Sequence, residues 1–162
     1  MVALLREAGI KGYYTTIMAG EGESEVDPDF PSDQANHVIV AVPTKTDTVW
    51  LECTSQTNPF GWMGRFTGNR YAMMVTENGG VLVKTPTYPA EVNTQTRTAT
   101  VTLELSGNAT AKVKTVYSGL QYENNRLDAV ATKQADDHKK WVQTNTQIPS
   151  FDVAKFSIKN NK

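Results

Sequence analysis

Two runs of β-forming residues joined by five mostly polar ones constrain this chain more than any other feature. Residues 36–42 read Asn-His-Val-Ile-Val-Ala-Val and residues 48–54 read Thr-Val-Trp-Leu-Glu-Cys-Thr, with Pro43-Thr44-Lys45-Thr46-Asp47 between them. A link that short leaves only an antiparallel hairpin, because a parallel return needs a dozen residues or more. Side chains alternate faces along a strand, so the hairpin can set His37 of the first strand beside Glu52 of the second. An imidazole beside a carboxylate is the base and orienter of a nucleophile–base–orienter arrangement. The same spacing also suits a half-buried strand histidine with one satisfied hydrogen bond. The only cysteine, Cys53, neighbours Glu52 and should point to the opposite face, where it is expected to be a buried, inert thiol.

The rest of the chain is organised around this hairpin. Residues 2–8 read as a helix end, with Gly9 free to take the left-handed stop and Ile10 placed to pack back on Leu5. Two turns are marginal alone, so this helix must dock on the sheet that begins with Tyr13-Tyr14-Thr15-Thr16-Ile17. Residues 20–32 are acidic and rich in Gly and Pro and read as a loop. Their spacing does not place the glycine and distal glutamate of a calcium loop, and no metal or other cofactor is expected. The glycine-punctuated segment 57–71 carries Phe60, Trp62 and Phe66 near the sheet end where Glu52 emerges. These aromatics either line a substrate groove or cover the edge of the core. Glu77-Asn78-Gly79-Gly80 then turns residues 72–75 into 81–84 as a second hairpin.

At Thr85-Pro86-Thr87-Tyr88-Pro89 the composition shifts, which places a boundary between residues 86 and 87. Residues 97–105 and 109–117 alternate Thr with Ala, Val and Leu about Ser106-Gly107-Asn108, giving a third hairpin with one solvated, Thr-rich face. Asn125-Arg126-Leu127-Asp128 opens a helix whose apolar stripe includes Leu127, Val130, Ala131, Ala135, Trp141 and Val142. His138 falls at the edge of that stripe, Lys139 and Lys140 in the last turn, and residues 151–158 close as a strand.

The segments Leu4-Leu5-Arg6-Glu7-Ala8-Gly9-Ile10, Asn36-His37-Val38-Ile39-Val40, Trp50-Leu51-Glu52-Cys53-Thr54-Ser55-Gln56 and Pro59-Phe60-Gly61 together resemble the later part of the transglutaminase-like domain of large exported bacterial proteins. The strand-rich remainder resembles the β-rich domain that follows it there. The resemblance implies an α+β fold: the antiparallel sheet half of a transglutaminase-like, papain-like domain over residues 1–86, then a small mainly-β domain with one helix over residues 87–162. It also implies a cysteine hydrolase or acyltransferase acting on a peptide or protein amide, with His37 as base, Glu52 as orienter and export to the periplasm. An aspartate is the commoner residue where Glu52 stands. The family's catalytic cysteine lies about a dozen residues before the Leu-Arg-Glu-Ala-Gly motif, where this sequence has no matching position, so the chain alone is expected to be inactive. An uncovered apolar surface where the preceding helices belong would favour self-association or binding of that missing part.

Composition excludes some classes. With 162 residues and a net charge of −1, nothing electrostatic points to nucleic acid or an anionic membrane. The apolar stretch at the amino end contains Arg6 and Glu7 and suits no membrane insertion. One cysteine permits no internal disulfide, and no phosphate loop, zinc spacing or serine elbow occurs. The alternative to an enzyme fragment is a non-catalytic β-rich module that holds a peptide, a glycan or a partner domain.

Overall fold

The computed structural model describes residues 1–23, 26–30, 32–56, 58–124 and 127–159. Ser24, Glu25 and Pro31 of the acidic loop, Thr57 of the aromatic segment, and Asn125 and Arg126 at the expected helix start lie outside the described residues. The chain is a mixed α+β protein with antiparallel sheets and short helices, divided into two compact units, residues 1–92 and 93–162. The division falls six residues beyond the composition shift at 86/87. The intervening segment stays with the first unit because Tyr88 stacks on Trp62 and its hydroxyl accepts a hydrogen bond from the Met63 N–H at 2.9 Å.

The first unit is a five-stranded sheet in the order β3-β2-β1-β4-β5, every neighbouring pair antiparallel. The strands are β1 (Tyr13–Ile17), β2 (His37–Pro43), β3 (Thr48–Leu51), β4 (Tyr71–Thr76) and β5 (Gly79–Lys84). Alternation decides the faces. Ile17, Ile39, Ala41, Trp50 and Ala72 share one face and, with Met63 from the segment between β3 and β4, form the core. Met63 enters that core fully buried just before the short helix α2 (Gly64–Thr67).

Helix α1 (Val2–Glu7) covers part of the other face through Leu5, which would clash with any side chain at Gly12 beside Val40 and Val42. Its stop is the expected one: Gly9 has φ +72, and its N–H and that of Ile10 return to the carbonyls of Arg6 and Leu5. The docking is partial, since Leu4 and Ile10 stay exposed.

In the second unit, β6 (Gln95–Leu103) and β7 (Ala109–Tyr117) pair as an isolated two-stranded ribbon. The expected single solvated face is corrected, because nearly every residue of both strands is exposed. The register still sorts the side chains. Val101 faces Ala111, Leu103 faces Ala109 and Ala99 faces Val113 on one side, while Thr98 and Thr100 face Lys114 and Lys112 on the other.

Among the described residues the helical segments that follow are α3 (Leu120–Asn124), α4 (Leu127–Ala131) and α5 (Ala135–Thr144), so the stretch from Leu127 expected as one helix is divided between α4 and α5. The stripe from Leu127 to Val142 is interrupted at Thr132-Lys133-Gln134, where the Lys133 N–H closes a turn on the Val130 carbonyl. Lys139 and Lys140 consequently sit in the middle of α5 rather than its last turn, and Lys139 lies 4.0 Å from Asp152. Residues 151–158 are not a strand. Their alternation serves packing instead, with Phe156 set against His138 and Trp141 of α5 at 4.9 and 6.3 Å between ring centres. His138 makes its own hydrogen bond, Nε2 to the Val130 carbonyl at 2.7 Å, as a helix-packing residue does.

Candidate functional site at the open end of the central hairpin

The pairing of Val40 with Leu51 and of Ala41 with Trp50, continued by one pair, sets Glu52 across from Ile39 and diagonal to His37. His37, Ile39 and Ala41 therefore share their face with Trp50 and Glu52, so the site is an extension of the core face beyond the strand end. Diagonal neighbours of this kind are within reach of long side chains. His37 Nε2 lies 2.9 Å from Glu52 Oε2 and 3.2 Å from Oε1. Of the two side chains, Glu52 is only 3% exposed and His37 16%.

Three sets of contacts fix this pair. Asn36 grips the backbone of Ala19 with both ends of its amide, accepting from the Ala19 N–H at 2.7 Å and donating to its carbonyl at 2.9 Å. The entry to β2 is thereby clamped to the exit of β1 one residue before His37. On the acid side, Thr54 donates to Glu52 Oε1 through its hydroxyl at 2.7 Å and its N–H at 3.0 Å. Above the histidine, Phe66 of α2 meets the imidazole edge to face, 5.1 Å between ring centres, and its carbonyl accepts the Gly20 N–H.

The electrostatics follow from these contacts. Burial pushes the Glu52 carboxyl up most strongly, but the two Thr54 hydrogen bonds and that of His37 together outweigh it, leaving the group below the ordinary carboxylate range. An ionised Glu52 can only accept, so His37 Nε2 is the donor of their hydrogen bond. Among the described residues, Nδ1 of His37 has no hydrogen-bond partner and is the ring nitrogen left to take up a proton. The arrangement is a base held by an orienter.

Cys53 requires correction. It is exposed rather than buried, because β3 ends at Leu51 and the chain has left the sheet by that point. Its sulfur lies 3.6 Å from the Leu51 carbonyl and is not among the contacts of His37. The partial burial it retains raises the thiol's pKa, the Met1 ammonium opposes this, and the charge of Glu52 adds to the rise. The net effect disfavours the thiolate, opposite to what a nucleophile needs.

The aromatic segment divides three ways. Phe66 touches the base, Trp62 stacks on Tyr88 at 3.9 Å, and Phe60 is 84% exposed and covers no core. Phe60 and Tyr88 instead border an open groove of about 470 Å3 with Trp50, Asp47 and Lys84, beside the Thr44–Asp47 turn and away from the His37 end of the hairpin. A second depression, of about 530 Å3, lies over Thr16, Met73 and Leu82. His37 and Glu52 line neither. Among the described residues no three His, Cys, Asp or Glu side chains gather as metal ligands, and no helix is long and apolar enough to cross a membrane.

Sequence reasoning passed over Thr54, Asn36, Met63 and Tyr88. For Thr54 a signal was present, since a threonine two residues after an acidic one is placed to hydrogen-bond back to it. Comparison of the chain with family models, with curated proteins and with solved structures finds no match in any of the three.

Proposed function

We propose that this chain carries the base and orienter of a transglutaminase-like cysteine hydrolase or acyltransferase, with His37 as base and Glu52 as orienter. The observation that carries the reading is the pairing of His37 Nε2 with a nearly buried, ionised Glu52 while Nδ1 has no partner among the described residues. A base bound this way can deprotonate a thiol presented at Nδ1 and then protonate the departing amine of a peptide or glutamine amide. Cys53 does not serve as that thiol, so the reading requires one from outside these 162 residues. Two further points support it. Helix α1 and the stop that follows it carry the Leu4–Ile10 motif of the resemblance, and the Asn36–Val40 and Trp50–Gln56 segments of the same resemblance carry the base and the orienter. Export to the periplasm belongs to this reading through the same resemblance.

The test is to express the chain together with the reading frame that precedes Met1 and to measure ammonia release from a glutamine peptide and cleavage of a peptide amide. Turnover should fall about a hundredfold or more in His37→Ala. Glu52→Gln should reduce it, and the 162-residue chain should be silent. A preceding frame without a helix-borne cysteine, or turnover indifferent to His37→Ala, overturns the proposal.

A second reading, a non-catalytic β-rich module for a peptide, glycan or partner domain, is favoured by the ribbon β6–β7. Its apolar side, with Val101, Leu103 and Val113, is exposed. The two readings part on the same assay, since only the first makes His37 matter.

A further inference from the structure

We propose that Thr54 is a positioning residue of the site, holding Glu52 Oε1 so that Oε2 meets His37 Nε2 and Nδ1 is kept as the basic nitrogen. The inference rests on the functional reading only for what that nitrogen does, and on geometry for the rest. Glu52 lies one residue beyond the end of β3, past the last ladder pair of Val40 with Leu51. A glutamate side chain has three rotatable bonds, and burial alone would leave its carboxylate to choose among orientations. Thr54 removes that freedom at one oxygen, with its hydroxyl at 2.7 Å and its N–H at 3.0 Å. Both donors reach the same atom, Oε1, from one side. The other oxygen is thereby set closer to the ring, 2.9 Å from Nε2, while Oε1 itself lies 3.2 Å from the same nitrogen.

The consequence for the histidine is a choice of tautomer. A carboxylate can only accept, so a carboxylate fixed at Nε2 keeps the ring proton there and leaves the lone pair on Nδ1. Were Glu52 free to swing away, the neutral ring would sample both tautomers, and a thiol presented at Nδ1 would meet the wrong one for part of the time. No other hydroxyl among the described hydrogen bonds contacts Glu52.

The experiment is nitrogen-15 NMR of the histidine rings in the 162-residue chain, in wild type, Thr54→Val, Thr54→Ala and Thr54→Ser, with His37 assigned by loss of its signals in His37→Gln. Thr54 is exposed, so the variants lose a hydroxyl and little packing. In wild type the neutral His37 ring should show one protonated nitrogen, Nε2. In Thr54→Val and Thr54→Ala the two ring-nitrogen shifts should move toward each other as the tautomers mix, and Thr54→Ser should restore the separation. The carboxyl carbon of Glu52 should titrate at higher pH in the two hydroxyl-free variants, since two of the influences that lower it come from Thr54 and one of them is gone. His138 should not respond in any of them.

Ring shifts unchanged in both Thr54→Val and Thr54→Ala would overturn the proposal, as would a Thr54→Ser chain that behaves like the hydroxyl-free variants. The two proposals fail separately. A silent extended enzyme with the tautomer result intact would sink the functional reading and leave Thr54 in place, whereas active enzyme with no Thr54 effect on the ring would do the reverse.

Discussion

At the scale of single residues, the chemistry of the site rests on a buried carboxylate kept ionised by its neighbours. Because the folded pKa of Glu52 is depressed, its contribution to stability is present above the ordinary carboxylate range and is lost as pH falls through the lower folded value. Acid unfolding followed by circular dichroism should therefore show a shallower slope in Glu52→Gln than in wild type across that window. The Glu77 carboxyl is also lowered, first by its own backbone N–H and then by Lys11, but it lies open to solvent, so Glu77→Gln should leave the slope nearly unchanged. Cys53 gives an independent reading of the same charge. Iodoacetamide should alkylate it slowly at neutral pH despite its exposure, and Glu52→Gln should speed the reaction by removing the negative neighbour that helps hold the thiol protonated. Equal rates in the two proteins would mean that Glu52 does not act on the thiol. The pairing of His37 with Glu52 was legible in sequence because a five-residue link and a period of two leave little choice of face. The exposure of Cys53 was not, because it depends on where β3 stops.

At the scale of elements, legibility followed the source of the ordering. The strands of the five-stranded sheet were readable where one side is buried and the alternation is enforced by the core. The glycine stop of α1 was readable because φ +72 suits glycine and few other residues. Residues 151–158 misled because apolar alternation can serve a helix surface as well as a ladder. Here Phe156 packs on His138 and Trp141, and no strand forms. The break between α4 and α5 was hidden for a related reason, as a helical stripe continues across a short turn without changing its composition. The segment holding Phe66 depends on a close approach that residue pattern does not show: a Cβ added at Gly68 would come within 2.3 Å of the Gly64 carbonyl oxygen. Backbone atoms cannot step aside as flexible side chains do. Gly68→Ala should therefore open the end of α2 and weaken the contact between Phe66 and His37, seen as a change in the His37 ring proton shifts. Met63→Ala, at the centre of the core, should cost about 2–5 kcal/mol in denaturant unfolding. A loss below about 1 kcal/mol would mean that Met63 does not organise the segment.

At the scale of the whole molecule, the division of apolar surface sets solution behaviour. The ribbon β6–β7 leaves Ala99, Val101, Leu103, Ala109, Ala111 and Val113 on one exposed side, with Leu103 73% exposed, and the ribbon's outer edges are unpaired within its two-stranded sheet. Exposed edges and contiguous apolar sides promote pairing between chains. The scattering mass should rise with protein concentration, and Val101→Lys with Leu103→Lys should return it to that of a single chain. A constant monomer mass in wild type would show that the ribbon is tolerated in water as it stands. Asn36 has a consequence of another kind. By tying the first residues after β1 to the last before β2, it closes residues 19–36 at their base like the neck of a purse. Whatever length of chain lies above the neck is then thermodynamically cheap, since doubling a loop adds only about 0.6 kcal/mol of closure entropy. The stretch between the two strands is thus a natural place for lineages of this protein to gain or shed whole inserts, or for an engineer to graft a peptide after Gly22, without moving the imidazole that begins the next strand.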